Sequence, residues 1–204
     1  SSSAASDVYK RQVMKPDDRK KPIEIKDMFV DAGCRDQDEA KALGIKPGTP
    51  MSIDRTFAKL AGDRVTGKAL DNRAGVVMMI EALKRTKAKS TIYAVGTVQE
   101  EVGLKGARTS AFELRPDVAL ATDVTIPGDH PGIEKKDSNL EIGKGPVITI
   151  ADASGRGLIA SEKVVDWLAE TAREFEIEVQ MDVSGGGTTD ATAIQLTREG
   201  IHTG

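Results

Sequence analysis

Four carboxylates stand where the chain passes from an apolar run into a loop or helix: Asp71, the adjacent pair Glu100 and Glu101, and Asp123. In an open α/β sheet, functional groups gather at the carboxyl ends of the strands, where the loops open into a crevice. An ionised carboxylate in a crevice costs desolvation unless a cation or hydrogen bonds compensate it, and several together repel one another. A bound metal is the simplest neutraliser, and the chemistry it suggests is hydrolysis by an activated water. Neighbours inside a strand point to opposite faces, but at a strand-to-loop transition Glu100 and Glu101 can both turn toward one cleft. One of them can then ligate while the other faces the water. Each residue also has a plainer reading: Asp71 as a helix N-cap, Glu100–Glu101 as a solvated pair favoured by a helix dipole, and Asp123 as a turn initiator.

The elements that must position these groups follow from periodicity. Residues 72–86 (NRAGVVMMIEALKRT) carry apolar residues at helical spacing, and the apolar run 91–98 after them predicts a strand ending in Gln99-Glu100-Glu101. A short helix is expected over 104–112, strands over 118–123, 146–151 and 177–183, an amphipathic helix from Ser161 through Phe175, and a last helix over 190–199 closed by Gly200. Strands alternating with helices of this length predict an α/β fold with a mixed, largely parallel sheet. The earlier part reads differently. Short strands are expected at 28–31, 51–55, 56–60 and 64–67, with a helical turn from Asp36 to Leu43 that stops at Gly44. That rhythm suits part of a small β-rich domain.

Composition narrows the function classes. The 204 residues carry 29 Lys+Arg against 32 Asp+Glu, a formal charge of −3, so no basic face argues for nucleic acid. No apolar run approaches the roughly 20 residues of a membrane helix, and a soluble, cytoplasmic setting is expected. The single cysteine, Cys34, has no partner for an internal disulfide, and no Cys/His cluster offers a thiolate metal site. Any metal would be held by oxygen and a few imidazoles. Residues 1–12 (SSSAASDVYKRQ) read as a non-native flank, and the chain stops at Ile201-His202-Thr203-Gly204 as if a further strand followed, which predicts an internal fragment of a longer protein.

The stretches GKALDNRAG (67–75), GTVQEEVGLKGA (96–107), ATDVT (121–125), PGIEKKDSNLEIGKGP (131–146) and GGGTTDATAIQLTREGI (185–201) resemble the metal-dependent aminopeptidases that include archaeal tetrahedral aminopeptidase and bacterial glutamyl aminopeptidase. MKPDDRKKP (14–22) resembles a segment inside the family's smaller domain. The resemblance implies a partial β-rich assembly domain over 13–66 and a partial catalytic α/β domain over 67–204. It implies two divalent metals, zinc or cobalt, with Asp71 bridging them, Glu101 and Asp123 as terminal ligands of one each, and Glu100 as general base. It further implies a peptide substrate and a large homo-oligomer, often a dodecamer.

The family also supplies two histidine ligands, one from a His-x-Asp motif before the small domain and one just beyond the point where this chain stops. His130, in a Gly/Pro-rich loop, and His202 read instead as solvent or packing histidines. The loop Gly185-Gly186-Gly187-Thr188-Thr189-Asp190 lacks the P-loop lysine and the Rossmann spacing, so nucleotide binding is not expected. By resemblance it borders the substrate cleft, with Asp190 as a substrate-binding residue; the plainer reading is a flexible turn with Asp190 near a helix N-cap. Two other readings stay open: a glycosidase working through paired carboxylates, and a non-catalytic fragment that only folds or associates. The glycosidase would survive a chelator and would want sugar-stacking aromatics, of which this sequence, 3% aromatic, has few.

Overall fold

The computed structural model describes residue 22, residue 26 and residues 28–204; the flank 1–12 and nearly all of the segment 14–22 lie outside the described residues. The chain divides into two compact units, Ser1–Ile53 and Asp54–Gly204. In the first, helix α1 (Gln37–Ala42) starts where Asp36, in extended geometry, accepts from the Asp38 and Glu39 backbone N–H groups at 3.0 and 2.9 Å. Acidic residues in the first turn and Lys41 in the last complement the helix dipole. It ends at Leu43, before Gly44 in the left-handed region.

The second unit is α/β. A short antiparallel hairpin of β1 (Ala58–Lys59) and β2 (Val65–Thr66) precedes α2 (Leu70–Arg85) and α3 (Lys105–Leu114). Strand β3 (Val118–Ala119) pairs in parallel with β6 (His202–Thr203), and β4 (Val147–Ala151) pairs in parallel with β5 (Gln180–Val183). Between β4 and β5 runs α4 (Glu162–Glu174), and α5 (Asp190–Gln195) lies between β5 and β6. The β3–β6 pairing continues past its formal end, since Ala121 N–H donates to the Gly204 carbonyl at 2.9 Å and Gly204 N–H to that of Ala119 at 3.2 Å. That continuation carries the chain toward Asp123.

Apolar burial explains the layering. Val164 and Ala172 of α4 are buried with Ile148 of β4 and Leu158, while Ala107 and Ala111 of α3 and Ala191 of α5 let those two helices approach closely. The expected helices form, with α5 stopping at Gln195 and turns covering 196–199.

Three expected strands do not form as such. Residues 28–31, 51–55 and 91–98 take no part in any ladder among the described residues, and within the 118–123 run the pairing extends as far as Ala121. The reason is pairing: a strand exists only against a neighbour, and Phe29, Ile53, Ile92 and Tyr93 remain exposed rather than covered.

Strand β5 also carries a buried carboxylate, Asp182, 8% exposed between exposed Met181 and Val183. Burial raises its pKa above the ordinary 3.8, against the smaller opposing effect of a hydrogen bond from Val183 N–H. The folded state therefore holds this proton more tightly than the unfolded state, and charging Asp182 costs stability as pH rises above the unfolded value. Asp182→Asn should accordingly raise Tm at pH 7, and the gain should vanish below pH 3.8; a pH series of thermal melts on the two proteins checks it.

Candidate active site

Asp71 does not act as a cap. Among the described residues no backbone N–H bonds to its carboxylate, and Asp71 and Asn72 depart from helical geometry at φ −83°, ψ 109° and φ −119°, ψ 48°. The capping role passes to Asn72, whose Oδ1 accepts from Gly75 N–H at 2.8 Å. The other end of the same amide, Nδ2, donates to the Thr122 carbonyl at 2.6 Å, and Thr122 Oγ1 donates to the Gly75 carbonyl at 3.3 Å. Asn72 and Thr122 are the direct neighbours of Asp71 and Asp123, so one side-chain bridge holds together the two backbone segments that carry these carboxylates, and the Asp71 charge is felt at Asp123. The approach needs glycine at 75, because a Cβ there would stand 2.5 Å from the Thr122 carbonyl oxygen.

Glu100 and Glu101 sit on a tight turn leading into α3. The Gly103 and Leu104 N–H groups both donate to the Glu100 carbonyl at 3.0 Å, and Gly106 N–H donates to that of Val98 at 2.9 Å. Gly106 makes that seat possible, since a Cβ would meet Val98 backbone atoms at 2.5 and 2.6 Å. Three residues bordering these carboxylates, Ala69, Gln99 and Leu104, hold φ between 55° and 60°. The left-handed region costs a non-glycine residue about 1–2 kcal/mol, and such strain collects at functional sites.

Asp190, from the start of α5, also acts electrostatically on Glu100 and Asp123. Thr189 caps α5, accepting from Ala191 N–H at 3.3 Å, so Asp190 is the first helical residue, and its Oδ2 accepts from the Thr97 hydroxyl. Its Oδ1 is buried without a hydrogen-bond partner. Burial and then the charges of Asp123, Asp190, Glu101 and Asp71 push the Glu100 carboxyl above its ordinary range. Asp123 is raised chiefly by burial and, beyond a lowering bond from Val124 N–H, by Asp71, Asp190 and Glu101.

The five carboxylates thus lie within electrostatic reach of one another. Among the described residues, however, no three His, Cys, Asp or Glu side chains stand close enough to hold a metal ion as a group. The donor chemistry of Asp71, Glu101 and Asp123 nonetheless fits a divalent cation: oxygen donors carrying net negative charge.

The two histidines lie apart from these groups. His130 is exposed in a turn, and His202 on β6 has its Nδ1 2.9 Å from Ser161 Oγ. Sequence reasoning overlooked Asn72, Thr97 and Thr122, which hold the carboxylates in place; the Asn directly after Asp71 in a segment rich in small residues was the available signal. It also overlooked Asp152, 4% exposed at the end of β4, whose Oδ1 accepts from Leu158 N–H at 2.5 Å while Oδ2 has no partner.

This arrangement can be set beside known proteins. An aminopeptidase from the archaeon Desulfurococcus kamchatkensis superposes with a TM-score of 0.86 at 44% identity, over 93% of this chain and 53% of its own. PhTET1-12s, solved as a dodecamer in the asymmetric unit, superposes with a TM-score of 0.73 at 33% identity, over 93% of this chain and 55% of its own. The lysyl aminopeptidase of Pyrococcus furiosus is 34% identical over 186 residues, 89% of this chain and 51% of that protein. The chain therefore spans about half the length of the relatives it matches. The family model of the M42 glutamyl aminopeptidases matches residues 5–204, and on that match this chain belongs to the M42 glutamyl aminopeptidase family.

Proposed function

We propose that the full-length protein is an aminopeptidase that removes amino-terminal residues from peptides with two divalent cations, zinc or cobalt. The observation that carries this reading is that Asp71, Glu101, Asp123 and Asp190 all lie within electrostatic reach of Glu100, in a chain of the M42 family. Asp71 would be shared between the two ions, with Glu101 a terminal ligand of one and Asp123 of the other. Cations bound there would acidify a water and polarise the scissile carbonyl.

The chain's own part is positional and acid–base. Glu100, left free of ligation, accepts the water's proton as the new C–O bond forms, and returns it to the amine as the C–N bond breaks. The Asn72 bridge keeps Asp71 beside Asp123, and the Gly103–Leu104 amides fix the Glu100 backbone. Asp190, held by Thr97, borders the substrate side of the cleft. Residues 13–66 are assigned to a partial β-rich assembly domain and 67–204 to a partial catalytic domain. The protein is taken to work in the cytoplasm as a homo-oligomer, a dodecamer by analogy with PhTET1-12s. No helix of the described residues is long and apolar enough to cross a membrane.

The test is hydrolysis of L-leucyl-, L-lysyl- and L-glutamyl-p-nitroanilide by the full-length protein. EDTA should cut the rate by about 100-fold or more, and added zinc or cobalt should restore it. Turnover of a β-glucan that persists in the chelator, with no anilide cleavage, would instead select the paired-carboxylate glycosidase.

A further inference from the structure

Beside the carboxylate turn, α3 and α5 leave an open groove of about 440 Å³, within the size range of small-ligand sites. Leu104, Phe112, Ala193 and Leu196 give it apolar walls, and Arg108 and Arg198 both line it. Its hydroxyl groups are already engaged: Thr192 Oγ1 lies 2.5 Å from Thr188 Oγ1, and Thr197 Oγ1 donates to the Ala193 carbonyl at 2.9 Å. The guanidiniums are not neutralised. Arg198 lies 3.7 Å over the Phe112 ring centroid and donates Nε–H to the Phe112 carbonyl at 2.7 Å, but neither it nor Arg108 has an acidic partner among the described residues. Among the described residues no acidic side chain lines the groove.

From these features we infer a binding site for an apolar carboxylate: a small organic acid, or the carboxyl-terminal residue of a peptide, whose carboxylate meets the guanidiniums while its side chain fills the Leu104–Phe112–Leu196 wall. Two unpaired guanidiniums call for an anion, and Arg is the side chain suited to bidentate carboxylate recognition. The absence of lining carboxylates leaves nothing to receive an ammonium, so a free amino acid is a poor ligand. The groove shares Gly103 and Leu104 with the turn that carries Glu100, but its arginines call for a carboxylate, whereas the proposed catalytic cleft would require a free amino group.

Calorimetric titration of the full-length protein with N-acetyl-L-leucine, N-acetyl-L-leucinamide and L-leucine tests the assignment, because the acetylated probes lack the amine a peptidase cleft would bind. N-acetyl-L-leucine should bind, and its amide should bind about tenfold or more weakly because a charge-assisted contact is lost. Arg108→Gln, at an exposed position, should weaken the acid by a similar factor while leaving Tm and anilide turnover unchanged. Hexanoate binding in parallel identifies a free acid as sufficient; acetyl-leucine binding without hexanoate binding identifies a peptide terminus. Equal affinity for the acid and its amide, acetyl-leucine affinity unaltered by Arg108→Gln, or no binding of either acid would overturn the site.

Discussion

Glu100→Gln in the full-length protein should lower aminoacyl-anilide turnover by about 10²–10⁴-fold while leaving the metal content unchanged. The two adjacent glutamates differ in a way that decides their roles. Glu100 is the partly buried member, raised in pKa by burial and by four neighbouring carboxylates, whereas Glu101 is exposed on the same turn. Glutamine keeps the shape and removes only the ability to take a proton, so the effect should fall on kcat with KM little changed. Steady-state kinetics with metal analysis of the same preparation checks it. Loss of turnover and metal together would make Glu100 a ligand, and full turnover would remove it from the chemistry.

The second large effect is expected at Asp71. Asp71→Asn should reduce metal affinity by more than about 100-fold, since removing even a group behind a ligand costs about 10–100-fold. The substitution is nearly isosteric, and the Asn72–Thr122 bridge is independent of it, so the metal-free protein should melt as before. What should disappear is the rise in Tm on adding zinc, because a ligand that binds only the folded state stabilises it by mass action. An undiminished metal-induced shift would reject the bridging role.

Much of the local structure was legible in the sequence because its causes are local. The apolar spacing of 72–86, the Asp36 cap and the Ser161 start of α4 each act within a turn or two, and their helices form. The strands at 28–31, 51–55 and 91–98 were less secure because an apolar run reports a wish for burial, whereas a ladder needs a specific distant partner. The same division runs through the site. The four carboxylates were readable from type and position, but what gathers them was not: the Asn72–Thr122 and Thr97–Asp190 bonds join residues 50 and 93 positions apart. The N-cap reading of Asp71 was displaced for a physical reason: the next residue, Asn72, has the amide that can cap Gly75 and reach Thr122 at once.

On the proposed reading, Asp71, Glu101 and Asp123 hold two divalent cations beside Glu100. Anomalous diffraction at the zinc edge from crystals of the full-length protein, grown with zinc, reads this directly. Two anomalous peaks are expected, both touching Asp71, one touching Glu101 and the other Asp123, with Glu100 unligated and facing a shared water. No peak at these carboxylates in a protein that cleaves aminoacyl anilides would contradict the account.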